Sequence, residues 1–171
     1  MECTLNMNRA VSKISVLFVC LGNICRSPTA HAVFQSMVDA EGLRDRVSVD
    51  SSGTGDWHIG KAPDSRSQQY ALDRGYDMSA LRARLVTVDD FNQYDYILAM
   101  DNQNLSDLKA MQPPEFSGEL RLFLDFCRSS DCASYRDVPD PYYGGDQGFS
   151  LVLDLIEDAS SELLRRVKGR L

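Results

Sequence analysis

Cys20 and Arg26 bracket five residues in the run Val16-Leu17-Phe18-Val19-Cys20-Leu21-Gly22-Asn23-Ile24-Cys25-Arg26-Ser27-Pro28-Thr29-Ala30. A cysteine thiolate is a nucleophile and a guanidinium is a planar fork for two phosphate oxygens, so the pair suits phosphoryl chemistry. An apolar run that gives way to a short polar loop and then a helix start points successive backbone N–H groups inward, and the helix dipole adds partial positive charge. Such surroundings lower a cysteine pKa from about 8.5 into roughly 3.5–7.5, which predicts a Cys20 thiolate beneath a bound phosphate. Leu21, Gly22, Asn23, Ile24 and Cys25 would then line the phosphate loop, with Gly22 and Asn23 expected to supply positive φ. Ser27-Pro28 reads as an N-cap followed by a proline at the first helical position. The competing reading makes Cys20 a buried strand residue and Arg26 a surface cation. The glycine, the Ser-Pro start and the place of Cys20 where the apolar run ends favour the site.

The elements that must hold this loop follow from periodicity. Ile14 to Val19 reads as a buried strand, and Pro28 to Glu41 as a helix presenting Ala32, Val33, Phe34, Met37 and Val38 before Gly42 stops it. Val47 to Ser51 is a short strand, Asp64 to Arg74 a helix ending at Gly75, Tyr94 to Met100 an apolar strand, and Asn102 to Met111 a helix up to Pro113-Pro114. Gly145 to Lys168 is the longest amphipathic helix, with Leu151, Leu155, Ile156, Ala159, Leu163 and Val167 at helical spacing. Alternation of strand and helix predicts an α/β, three-layer domain: a short central parallel sheet with helices on both faces and the phosphate-binding loop after the first strand. Ligand chemistry then belongs at the carboxyl ends of the strands, where Cys20 lies.

At 171 residues and 43% hydrophobic, the chain suffices for one well-buried core, assigned to 15–171, with 1–14 a flexible N-terminal extension of no readable role. A net charge of −7 argues against a nucleic-acid surface, because phosphate backbones demand clustered Lys and Arg. The five cysteines (Cys3, Cys20, Cys25, Cys127 and Cys132) are odd in number and lack zinc-site spacing, which predicts no metal, no cofactor and a reduced compartment. No stretch reaches the roughly 18 apolar residues of a membrane span and the N-terminus lacks a signal-peptide pattern, so a cytoplasmic protein is expected.

The run from Val16 to Ala30 closely resembles the signature of the low-molecular-weight protein tyrosine phosphatases, and Asp140-Pro141-Tyr142-Tyr143-Gly144 matches the second half of that family's pattern. The resemblance extends from about Ser15 to the end of the chain. It implies a phosphotyrosine hydrolase that works through a phosphocysteine, with Cys20 as nucleophile, Arg26 binding phosphate and Asp140 as general acid and then base. Asp137 lies nearby, but only Asp140 precedes Pro-Tyr-Tyr as the family's acid does. The resemblance makes Tyr142 and Tyr143 one wall of an aromatic slot and Trp57 the other, lined further by Leu21 and Ile24. Trp57 also reads as a partly buried core residue. A slot with the thiolate at its floor would reach phosphotyrosine and leave phosphoserine short.

By the same resemblance Ser27 donates to the Cys20 thiolate, Asn23 keeps the loop in shape, and Asp101 sits near the arginine, although Asp101 equally reads as a helix N-cap. Many members carry a histidine that supports the asparagine where this chain has Leu81, so loop support is expected to differ and turnover with it. Cys25 is close enough to Cys20 for a reversible disulfide, as the resemblance implies, or is a spectator thiol. Cys127 and Cys132 read as ordinary residues in a variable loop.

Two other functions fit the loop. An arsenate reductase on this scaffold needs resolving cysteines, and none lies between Arg26 and Cys127. A phosphotyrosine-binding protein with a dead site would leave Cys20, Arg26 and Asp140 unused. The expected partners are tyrosine-phosphorylated proteins, among them tyrosine kinases for bacterial relatives and receptors for eukaryotic ones, and the expected state is a monomer.

Overall fold

The computed structural model describes residues 12–141 and 145–171. Four strands form one sheet in the order β2-β1-β3-β4, every pair parallel: β1 Ile14–Cys20, β2 Val47–Gly53, β3 Tyr96–Ala99 and β4 Glu119–Leu122. The register aligns Cys20 with Gly53, Val19 with Ala99 and Ala99 with Leu122, which brings all four carboxyl ends to one edge. The chain leaves β1 toward β2 and returns past it to β3. The switch point is therefore the gap between the ends of β1 and β3, where open parallel sheets bind ligands.

Side-chain alternation along β1 explains the layers. Ile14, Val16, Phe18 and Cys20 face one core with α1 (Arg26–Ala40), α2 (Ser65–Asp73) and α6 (Gly145–Lys168), whereas Leu17 and Val19 face a second core with α3 (Asp90–Gln93) and α4 (Asn102–Met111). Phe18 anchors the first core edge-on to Phe34 and Phe123, with ring centroids 5.8 and 5.0 Å away. The expected three layers are present. β4 follows a Pro-rich turn, leads into a 3₁₀ turn (Phe123–Phe126), and is followed by α5 (Ser130–Ala133). β4, α3, α5 and the 3₁₀ turn are short elements without a sustained period of their own.

Three local expectations need correction. Helix α1 begins at Arg26 and its N-cap is Cys25, so Ser27 lies inside the first turn and caps nothing. First-turn N–H groups have no intrahelical acceptor, which is why Pro28 is accommodated there. Of the described non-glycine residues Asn23 alone has positive φ, at 56°, and Gly22 does not share that conformation. Cys127 and Cys132 are joined in a disulfide. The fold brings two sulfurs together whose spacing matches no familiar pair motif.

Candidate active site

The residues from Cys20 to Arg26 wrap a cavity of about 170 Å³ at the switch point, lined by Cys20, Leu21, Gly22, Ile24, Cys25 and Arg26 from the loop, Trp57 and His58 from the segment after β2, and Asp140 from the segment before α6. Cys20 is 3% exposed and ends β1. Its sulfur receives the Asn23 backbone N–H at 3.3 Å and contacts the Ser27 hydroxyl at 3.0 Å. The Asn23 side-chain amide donates to Ser27 Oγ at 2.8 Å, and its carbonyl accepts the Arg84 backbone N–H at 3.0 Å. Because that carbonyl is committed to an N–H, the amide nitrogen must face Ser27. The hydroxyl, already accepting from Asn23, has its own proton available for the sulfur or for the Ser52 carbonyl at 3.3 Å. Loop support thus comes from the Arg84 main chain, and Leu81 only packs against the core nearby.

Close backbone approach shapes the loop as well. A Cβ on Gly53 would lie 2.6 Å from the Leu21 carbonyl, and one on Gly22 would lie 3.0 Å from the His58 ring. Glycine at Gly53 lets β2 run against the loop without displacing it.

Arg26 is buried and donates through Nη1 to Asp101 Oδ2 at 2.7 Å and to the Val138 carbonyl at 3.1 Å. Burial alone would lower its pKa, but the nearby Cys20, Asp101 and Asp140 raise it, so it stays charged. Asp101 also accepts the Asn104 N–H at 2.7 Å as the N-cap of α4, so it fills both positions that the sequence left open. Asp137 is committed elsewhere: it accepts from the Asn102 backbone and side chain. Asp140 is exposed on the cavity wall. Trp57, 66% exposed, belongs to the mouth and not to the core. Tyr142 and Tyr143 lie outside the described residues.

Cys20 and Cys25 are both free thiols. Burial pushes the Cys25 thiol up to about 12, against a hydrogen bond from Ser67, with Asp64, Cys20 and Asp140 adding to the rise. Cys127, Cys132 and Asp158 put three potential metal ligands within 4.8 Å of one another. The two sulfurs are bonded to each other and Asp158 accepts the Arg128 and Ser129 N–H groups, so the trio is spoken for within the protein. His58 and Arg84 were not picked out from the sequence. Arg84 acts on the loop through a main-chain N–H, which leaves no trace in residue type; His58 stands beside Trp57 and only that adjacency pointed to it.

A parallel α/β sheet whose first loop wraps a cysteine and an arginine around a cavity at the carboxyl ends of its strands has the donors an anion site needs. The family model for low molecular weight phosphotyrosine protein phosphatase matches residues 15–170. A low molecular weight protein-tyrosine-phosphatase of Bacillus subtilis, YfkJ, is 41% identical over 155 residues, covering 91% of this chain and 96% of the relative. The Schizosaccharomyces pombe phosphatase of the same name as the family is also 41% identical over 155 residues, covering 90% and 97%. The crystal structure of a protein tyrosine phosphatase from Entamoeba histolytica with Hepes in the active site superimposes with a TM-score of 0.86 at 39% identity, covering 93% of this chain and all of that one. The chain belongs to the low molecular weight phosphotyrosine protein phosphatase family. It is a hydrolase, a protein-tyrosine phosphatase.

Proposed function

We propose that Cys20 is the nucleophile, that Arg26 and the amides of Leu21 to Arg26 hold the phosphoryl oxygens, and that Asp140 is the general acid and base. The observation that carries this reading is the convergence of Cys20, Arg26 and Asp140 on one cavity. The Cys20 thiolate attacks phosphorus in line while the bond to the tyrosine oxygen breaks, and Asp140 gives its proton to the departing phenolate. The Asp140 carboxylate then takes a proton from water as that water attacks phosphorus. The sulfur–phosphorus bond breaks, leaving thiolate and inorganic phosphate. Ser27 stabilises the thiolate through its hydroxyl, and Asn23 holds Ser27 in place. Leu21, Ile24 and Trp57 give the cavity apolar walls suited to an aryl ring.

The catalytic domain is assigned to residues 14–171 and not to 15–171, because Ile14 opens β1 and is buried in its core. The substrates are phosphotyrosine proteins; a tyrosine kinase among them, a monomeric state and a cytoplasmic setting that keeps Cys20 reduced complete the proposal. No helix among the described residues is long and apolar enough to cross a membrane.

The test is steady-state hydrolysis of p-nitrophenyl phosphate and a phosphotyrosine peptide by wild type, Cys20→Ser and Asp140→Ala, with phosphoserine and phosphoarginine peptides as controls. The phosphoarginine control is warranted because one structural neighbour is a Drosophila arginine phosphatase, with a TM-score of 0.80. Cys20→Ser should be inactive, and Asp140→Ala should lose about 10²–10⁴ in kcat on the peptide. Full activity in either variant would displace the assignment.

A further inference from the structure

Cys127 and Cys132 are bonded to each other on the stretch of chain that delivers Asp140 to the cavity. We propose that this pair is a thiol–disulfide exchange site whose redox state sets the placement of Asp140, a proposal that rests on Asp140 being the acid. The pair is distinct from the catalytic thiols, since Cys20 and Cys25 are free in the same molecule.

The case begins with what holds the stretch. Between residues 127 and 140 only Cys132 and Val138 are buried. Polar attachments add to these: Asp158 accepts from Arg128 N at 2.8 Å and Ser129 N at 3.2 Å, Ser129 Oγ accepts from Cys132 N at 3.1 Å, Arg128 pairs with Glu162 at 3.4 Å, and Asp137 accepts from Asn102 N at 3.0 Å and Asn102 Nδ2 at 2.9 Å. Exposed hydrogen bonds of this kind exchange with water at small net cost. The disulfide fixes one of the two buried pins. At the other, Val138 donates its N–H to the Met100 carbonyl at 2.7 Å and accepts Arg26 Nη1 at 3.1 Å. Residues 133–136 are the chain that joins the disulfide to the attachments of Asp137 and Val138, which in turn precede Asp140 and carry the Arg26 contact.

The two sulfurs also differ in access. Cys127 is half-buried, whereas Cys132 is 2% exposed and its sulfur lies 3.8 Å from the Leu155 carbonyl of α6. Cys127 is thus the sulfur that meets a co-reactant and Cys132 the one that resolves it. With a small-molecule disulfide as oxidant, the Cys127 thiolate attacks one sulfur, the oxidant's S–S bond breaks, and one thiolate leaves. Cys132 then loses its proton and attacks the Cys127 sulfur, forming the internal bond and displacing the second thiolate. Two electrons and two protons pass from the pair to the oxidant, and a dithiol reverses the sequence.

The experiment equilibrates wild type in reduced and oxidised glutathione mixtures with saturating inorganic phosphate over Cys20, alkylates with N-ethylmaleimide, and maps residues 127 and 132 by mass spectrometry. Aliquots from the same mixtures are assayed on a phosphotyrosine peptide and on 2,4-dinitrophenyl phosphate. The second substrate has a leaving group that needs no acid. The ratio of the two kcat/KM values is independent of how much Cys20 is active, because inactive enzyme contributes to neither. Reduction of the pair should lower that ratio about tenfold, a fraction of what a general acid contributes in full. Cys127→Ser/Cys132→Ser should show the low ratio under every mixture. A ratio that stays constant while the labelling changes, or labelling that never changes, overturns the proposal. Absence of phosphotyrosine hydrolysis in every mixture with dinitrophenyl phosphate still consumed would instead remove the reading of Asp140 on which it rests.

Discussion

Ser27 illustrates how a single hydroxyl is fixed by its neighbours. Asn23 donates to it, Cys20 and the Ser52 carbonyl compete for its proton, and the orientation of Asn23 is set in turn by Arg84 N–H. Cys25, two positions before Ser27, has the opposite character: a buried thiol held in its neutral form, its pKa pushed up to about 12. In the unfolded chain a thiol titrates near about 8.5, so the unfolded state sheds this proton first. The folded pKa is the higher one, hence the contribution of Cys25 is intact below about pH 8.5 and drains away as pH climbs toward 12. Between about pH 8 and pH 10 wild type should lose on the order of 1–2 kcal/mol more stability than Cys25→Ala, read from urea melts. Tyr76, raised from 10.0 to about 12 by burial and Glu157, enters only above that window. Parallel stability curves for the two proteins would show that Cys25 titrates normally.

The segment after α2 acts on the loop as an element and not through one side chain. Gly53 N–H donates to the Arg84 carbonyl at 2.9 Å and Val86 N–H to the Gly53 carbonyl at 2.8 Å, which docks this segment along the end of β2. The Arg84 guanidinium locks it there, reaching Asp50 at 3.0 Å and both oxygens of Asp90 at 3.0 and 3.1 Å. Arg84→Met should release the segment, free Asn23 and lower kcat by about ten- to a hundredfold with a smaller change in KM. Arg74→Met is the control: it removes ion pairs with Asp154 and Glu157 on α6, away from the loop, and should cost stability without that kcat loss. Equal kcat in the two variants would dissociate Arg84 from the loop. This device was invisible in the sequence, where Asn23 and Arg84 are far apart and the contact is a main-chain N–H. The strand β1, the long helix α6 and the Cys20–Arg26 loop were legible because period and motif are local signals. β4 was not, since Glu119-Leu120-Arg121-Leu122 is a short edge strand whose identity depends on pairing with β3. The Cys127–Cys132 bond likewise needed α6 to bring the 3₁₀ turn and α5 together.

At the scale of the whole molecule, a site built around one buried guanidinium sits in a chain of net charge −7. On the proposed mechanism Arg26 and the loop amides attract phosphate at short range, and that attraction is screened little because Arg26 is buried. Outside the cavity, the mouth carries Leu21 and Trp57 as exposed apolar groups, and the net negative charge of the chain repels anions at longer range. Encounter and chemistry are therefore governed by charges of opposite sign. The Debye length shrinks from about 30 Å at 0.01 M salt to about 8 Å at 0.15 M, so salt removes the long-range repulsion and leaves the pocket intact. For a phosphotyrosine peptide with acidic flanks, kcat/KM should rise a few-fold over that range, on the scale of modest steering effects. A peptide with lysine flanks should show the reverse, and kcat should be flat for both because bound substrate has already made the approach. A fall with salt for the acidic peptide would place a cationic docking surface outside the cavity and overturn the inference from net charge.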